Sequence, residues 1–189
     1  MALWNSRDGY GAVTKTAHWL IVALFALQYA AGLTMTRLGE GERALGLSGD
    51  ALYDWHKTLG LVALAVAGVR LAARHVGELP PWAPSLSEAE RRFVHRAEQV
   101  LYAAMIVLPV SGFVYVMAGD YGVMVAGRWE LANPLPRSEA LAAVARVVHI
   151  AAAILLAAAL AGHLGLVLRH TLWLRDGLLW RMLPGRARR

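Results

Sequence analysis

The chain carries seven histidines, His18, His56, His75, His95, His149, His163 and His170, and no cysteine. Imidazole is the one side chain that titrates near neutrality unperturbed, and it is the commonest metal ligand. His149 and His163 are the most informative two. They stand fourteen residues apart, and between them lie only isoleucine, alanine, leucine and one glycine. In a helix, fourteen residues climb about 21 Å and complete almost four turns, so both imidazoles leave nearly the same face at two depths. The missing cysteine excludes disulfides, thiolate haem ligation, covalent c-type haem attachment and cysteine-held iron–sulfur clusters. Histidine is left as the obvious metal ligand.

The elements that must position these side chains follow from composition. Of the 189 residues, 58% are hydrophobic and 17% charged, and the mean hydropathy is +0.45. Long apolar runs on that background indicate an integral membrane protein of one domain spanning 1–189. Four runs are long enough to cross about 30 Å of hydrocarbon: roughly 17–35, 55–73, 94–118 and 141–168. The fold class expected is therefore all-α, a transmembrane four-helix bundle. The first run follows a polar opening and exceeds a typical signal core, so it reads as a retained helix. The connections are polar, and Pro80, Pro81 and Pro84 stop any helix in the second.

The net charge is +6 and the pI about 10.2. The arginines flank the apolar runs, which makes them topology signals and not a nucleic-acid surface. Twelve lysines and arginines gather at one end of the spans and six at the other. The positive-inside rule then places both termini in the cytoplasm. Trp19, Trp55, Trp82, Trp129 and Trp173 fall near span ends, where amphipathic rings anchor.

Helix direction now gives each histidine a depth. His18 opens the first helix near the cytoplasm, and His56 opens the second from the opposite side. His149 lies in the outer half of the fourth helix and His163 in its inner half. His56 thus shares a level with His149, and His18 with His163. Each pair offers opposed imidazoles to a flat metal-centred ring, which predicts two haems with bis-histidine axial ligation. Ala152, Ala153 and Ala159 leave room between the ligands, although Leu156 and Leu160 share that face and are not small. A lone histidine in a membrane helix is more often a packing residue, and small residues more often serve helix packing. Four histidines at matched depths outweigh that reading. Zinc is a weaker rival, because each pair supplies two nitrogens and no adjacent carboxylate completes a tetrahedral set. A proton relay would not require the same-face spacing.

The stretches "TKTAHWL", "DWHKTLGLVALAVAGVRLAAR", "LYAAMIVLPVSGF", "VVHIAAA", "AGHLGLVLRH" and "RDGLLWRMLPG" together resemble the bacterial cytochrome b561 family, over about residues 11–185. That group includes the membrane superoxide oxidase and is related to the cytochrome b subunits of nickel–iron hydrogenases and formate dehydrogenases. The resemblance implies two b haems, with His18 and His163 as ligands on the cytoplasmic side and His56 and His149 on the periplasmic side. His95 occupies a position the family often fills without using it as an axial ligand. It is kept as a reserve for the inner haem or a quinone contact.

Haem propionates need cationic partners. Arg70 lies fourteen residues beyond His56 and is a partner for an inner propionate or a quinone head. Arg146 lies about one turn before His149 and suits the outer haem, and Lys57 adjoins His56. The opposing reading for each is a snorkelling cation at a membrane end. His170 follows His163 by two turns, and the superoxide oxidase resemblance makes it a quinone and proton-delivery candidate. Its plain alternative is an exposed helix-end histidine. His75 reads as a solvated loop residue. Pro109 should kink the third helix, with Ser111 and Gly112 repairing or easing the packing there. The tail from Thr171 to Arg189 mixes tryptophan and leucine with arginine and reads as a short amphipathic segment on the inner leaflet.

The function expected is transmembrane electron transfer, from periplasmic superoxide through two haems to ubiquinone. The alternative is a relay or anchor subunit that takes electrons from a partner dehydrogenase, hydrogenase or soluble cytochrome. The two outer loops mix cations with Glu40, Glu42, Asp50, Asp54, Asp120, Glu130 and Glu139. Neither forms the basic funnel that would speed capture of an anion. A transporter or scaffold without haem would leave the histidine spacing unexplained.

Overall fold

A computed structural model describes residues 2–184. Four helices dominate it: α1 (Ala12–Met35), α2 (Gly49–His75), α3 (Glu88–Ala118) and α4 (Glu139–Leu168). Each is long and apolar enough to cross a membrane. The loop between α1 and α2 holds a two-residue ribbon, β1 (Arg43–Ala44) against β2 (Leu47–Ser48). The loop between α3 and α4 holds another, β3 (Met124–Val125) against β4 (Trp129–Glu130). After α4 the chain continues into a wide π turn over Arg169–Leu174 and, later, a 3₁₀ turn over Leu178–Arg181. Arg186, Arg188 and Arg189, used above to orient the chain, lie outside the described residues, as does the end of the proposed amphipathic tail.

The helices begin earlier than the apolar runs suggest, by up to six residues, because caps and acidic first turns carry no hydropathy signal. At α3, Ser87 Oγ accepts the Glu90 N–H at 3.3 Å while Glu90 Oε2 accepts the Ser87 N–H at 2.9 Å. This reciprocal capping box satisfies two donors the helix cannot. Ser48 and Ser138 cap α2 and α4 in the same sense, accepting the N–H groups of Ala51 and Leu141. Asp50, Glu88, Glu90 and Glu139 sit in first turns, where the helix dipole favours negative charge.

Contacts divide the chain into two units, each containing a piece of all four helices. The first comprises 2–20, 66–105 and 153–184. Its core includes Ala17, Ala67, Ala73, Met105 and Leu156. Buried Asn5 ties the opening segment down. Its amide donates to the Ala73 carbonyl, its side-chain oxygen accepts the Gly11 N–H, and its carbonyl accepts the Glu78 N–H. Gly77 lies against that carbonyl at φ +80°, and a Cβ there would come within 2.4 Å of it. The tail folds back onto α1: Lys15 Nζ donates to the Leu183 carbonyl at 3.0 Å and Trp19 Nε1 to that of Met182 at 2.9 Å. Trp173, by contrast, is 79% exposed.

The second unit comprises 21–65 and 106–152. Its core includes Ile21, Leu24, Phe25, Leu108, Met117 and Ala145. Thr58 Oγ accepts the Ala126 N–H at 2.9 Å, and Lys57 Nζ donates to the Gly122 carbonyl at 3.0 Å, so α2 holds the β3–β4 loop. Along α4, Val144, Val147, Ile150, Ile154, Leu155 and Leu164 are all exposed. In water this would be a liability. On a helix of this length the surrounding solvent is hydrocarbon.

Candidate functional site

The four predicted ligands meet as two pairs, one in each unit. In the first unit the rings of His18, from α1, and His163, from α4, have centroids 6.5 Å apart and planes at 64°. In the second, His56 from α2 and His149 from α4 stand 6.3 Å apart with planes at 74°. A metal held between two imidazole nitrogens at about 2 Å on each side places the ring centres roughly 6 Å apart. Both pairs match that separation. Among the described residues no cluster of three or more histidines and acids is arranged to hold a metal ion. A metal between either pair must therefore bring its remaining ligands with it, as the iron of a porphyrin does.

The surroundings of the pairs also fit. Buried nitrogens without protein partners are costly, and here they cluster beside the histidines. Arg70 leaves Nε and Nη1 buried and unpaired, and His56 leaves Nδ1 so. The Arg70 guanidinium stands 5.4 Å from the centre of the Tyr102 ring and interacts electrostatically with both His18 and His163. That is the environment an anionic propionate would complete. Arg74 stacks on Tyr102 as well and pairs with Glu98.

His149 is held differently. Its Nδ1–H donates to the Leu108 carbonyl at 2.9 Å, with Ser111 Oγ 3.4 Å away. A histidine that donates from Nδ1 presents Nε2 as a bare lone pair, which is how metal-ligating histidines are usually fixed. Gly112 makes room for the ring: a Cβ there would lie 3.0 Å from Cε1 and 3.1 Å from Nδ1 of His149. Gly32 faces His56 less tightly, at 3.5 Å from Cε1. Gln28 Nε2 donates to the His56 carbonyl at 2.9 Å.

The remaining candidates have other settings. Arg146 is exposed on α4. Lys57 is committed to the Gly122 carbonyl and to Asp54 at 3.9 Å. His95 is exposed on α3 and meets Gln99 at 3.4 Å. His75 closes α2 instead of sitting in a loop.

His170 is neither exposed nor open. It is fully buried; Nδ1 contacts Asp176 and Nε2 lies 3.2 Å from Glu90 Oε1, which also pairs with Arg169. A ring facing two carboxylates donates from both nitrogens, so binding a quinone there would require one of these bonds to be exchanged. Burial opposes ionisation of Asp176, yet hydrogen bonds from His170, Ser85 and the Leu178 N–H together hold its carboxyl below the usual value. Sequence reasoning missed Glu90 and Asp176. The one available signal was the Ser87–Glu90 capping spacing, which says nothing of His170.

The second unit also has a shallow cavity of about 360 Å³ beside the β3–β4 ribbon, lined by Asp120, Tyr121, Glu130 and Asn133 among others.

The sequence profile described as prokaryotic cytochrome b561 matches residues 9–185. A curated protein of Escherichia coli (strain K12), cytochrome b561 homolog 2, is 24% identical over 187 residues, covering 97% of this chain and 95% of that protein.

Proposed function

Because the chain belongs to the prokaryotic cytochrome b561 family, whose members move electrons across membranes by means of b haem, we propose that it carries them through two such haems. His18 and His163 ligate one, and His56 and His149 the other. The observation that carries this reading is the separation of the two ring pairs, 6.5 and 6.3 Å, each suited to one metal between two imidazoles. When bound, b haem supplies a one-electron couple. The protein fixes the ligands, excludes water from their rings and, through Arg70, places a cation where a propionate needs one. Ubiquinone is the acceptor, and its head group is the alternative partner of Arg70 where no propionate takes it. His170 and His95 are secondary, for the reasons of burial and placement given above. Arg146, exposed on α4, is the candidate cation for a propionate at the other pair.

At the donor side, superoxide is one candidate: two superoxide anions give two dioxygen molecules, and their two electrons with two protons reduce ubiquinone to ubiquinol. A specific observation favours the alternative, a relay from a protein partner. In the second unit Lys57 is turned onto Asp54 and Arg137 onto Glu139, and the cavity by β3–β4 carries Asp120 and Glu130. That surface does not concentrate anions. A soluble redox partner or a dehydrogenase or hydrogenase subunit is the better fit.

Stopped-flow mixing of the purified, haem-loaded protein with superoxide, followed at the Soret band, decides between the donors. Reduction faster than superoxide dismutes restores the oxidase reading. Slow or absent reduction, with normal reduction by dithionite, supports the relay. A preparation that is folded yet binds no haem defeats both.

A further inference from the structure

α3 contains Pro109 within its span. Proline supplies no N–H, so the Met105 carbonyl loses its helical partner, and the Leu108 carbonyl becomes that of a tertiary amide, a stronger acceptor than an ordinary peptide. One residue before the proline, the Leu108 carbonyl accepts the His149 Nδ1–H at 2.9 Å; the Ser111 hydroxyl lies 3.1 Å from the same carbonyl and donates its one proton chiefly to that of Val107 at 2.5 Å. Three residues after Pro109, Gly112 leaves the space that the His149 ring fills. The Leu108–Pro109 carbonyl and the gap at Gly112 together hold one imidazole by one nitrogen. Nothing comparable holds its partner, since His56 Nδ1 is buried without a hydrogen bond. Among the described residues neither ring of the His18–His163 pair has a hydrogen bond. One of the four imidazoles is thus singled out.

A hydrogen bond from Nδ1–H to a carbonyl raises the basicity of the opposite nitrogen. A more basic axial ligand favours the ferric state of the iron it holds, which lowers the reduction potential. We propose that the Pro109–Gly112 segment is a positioning element that makes His149 the electron-rich ligand of its haem and sets that haem's potential through the Leu108 carbonyl. This rests on the ligand assignment proposed above. The segment acts through His149 and touches no reacting atom itself.

The test is potentiometric titration of the haem-loaded protein, with low-spin ferric EPR as a second readout. Gly112→Ala places a methyl group against the His149 ring and should break the bond to Leu108. Pro109→Ala restores a backbone N–H, returns the Leu108 carbonyl to an ordinary secondary amide and adds no bulk, so it serves where Gly112→Ala does not assemble. Each should raise one midpoint potential by about tenfold in the reduction equilibrium, ~59 mV for one electron. The same haem should move in both, with its EPR signal, while the other stays fixed. Gly49→Ala, at the start of α2, is the control, since its added carbon would meet nothing within 4 Å, and it should move neither potential. Fully loaded Gly112→Ala or Pro109→Ala protein with both potentials unchanged overturns the proposal, as does an equal shift in Gly49→Ala. Wild-type protein lacking haem, or His149→Ala retaining both haems, would instead overturn the ligand assignment.

Discussion

The two histidine pairs share a ring separation and differ in what stands around them. Among the described residues, the His56–His149 pair has a backbone carbonyl on one ring, a glycine beside each ring and no arginine with buried, unpaired nitrogens. Among the same residues, the His18–His163 pair has no hydrogen bond to either ring but has Arg70, with two buried donors unpaired, supported by Tyr102. Under the ligation proposed above, one haem would be adjusted by a ligand's hydrogen bond and the other by a nearby charge. These are separate levers on a redox group, so the two potentials could be set independently.

The comparison can be broken most severely by removing ligands. His149→Ala should reduce haem content from two per chain to one, and His163→Ala should remove the other, as counted by pyridine haemochromogen. Loss of both haems from a folded variant of either kind would show that the pairs are not independent. Charge is the next lever. Arg70→Gln keeps hydrogen-bonding groups but removes the cation, so it should lower one midpoint potential by on the order of tenfold in equilibrium, ~59 mV. The affected haem should be the one that survives His149→Ala; movement of the other would reverse the assignment of levers.

Gly77→Ala should be weaker in its redox effect and visible in stability. It forces a side chain into a left-handed backbone against Asn5, and should cost about 1–2 kcal/mol. Thermal unfolding in detergent should shift downward, while the haem held by His56 and His149 keeps its spectrum at temperatures below the transition.

The smallest effect concerns Asp176. Its carboxyl is held below its ordinary value of 3.8 in the folded protein. A depressed carboxylate contributes stability that is complete above its unfolded pKa and disappears as pH falls through the lower folded value. Asp176→Asn should therefore lower stability near neutrality slightly and flatten the acid limb of a pH–stability curve. An unchanged acid limb would show that the His170 contact contributes nothing.

What the sequence disclosed depended on range. The four spans and the meeting of four histidines as two pairs were legible because helical spacing is local and because an imidazole amid alanine and leucine is conspicuous. Arg70 was legible for the same reason, lying fourteen residues past His56. Helix starts were not, since Ser48, Ser87 and Ser138 lie in polar stretches that hydropathy assigns to loops. The support of the ligands was less legible still. Gly112 meets His149 and Ser111 approaches it across 38 residues of sequence, and His170 reaches Glu90 across 80. Asn5 bonds to Ala73 across 68. No periodicity reports such pairings. Pro109 announced a gap in the backbone ladder of α3 without saying which side chain would use the carbonyl beside it.

The wide turn at Arg169–Leu174 ends in Arg175, whose φ is +50°. A π turn amounts to one residue more than an α-helix needs at that point. It acts as a phase offset: His170 points inward while Trp173, three positions later, points away at 79% exposure. Excising a single residue from this stretch would rotate everything beyond it by about 100°. Asp176 would swing off His170, and the carbonyls of Met182 and Leu183 would no longer present themselves to Trp19 and Lys15. The length of this short segment is thus constrained as firmly as its composition, and an insertion or deletion there should be tolerated less well than almost any substitution.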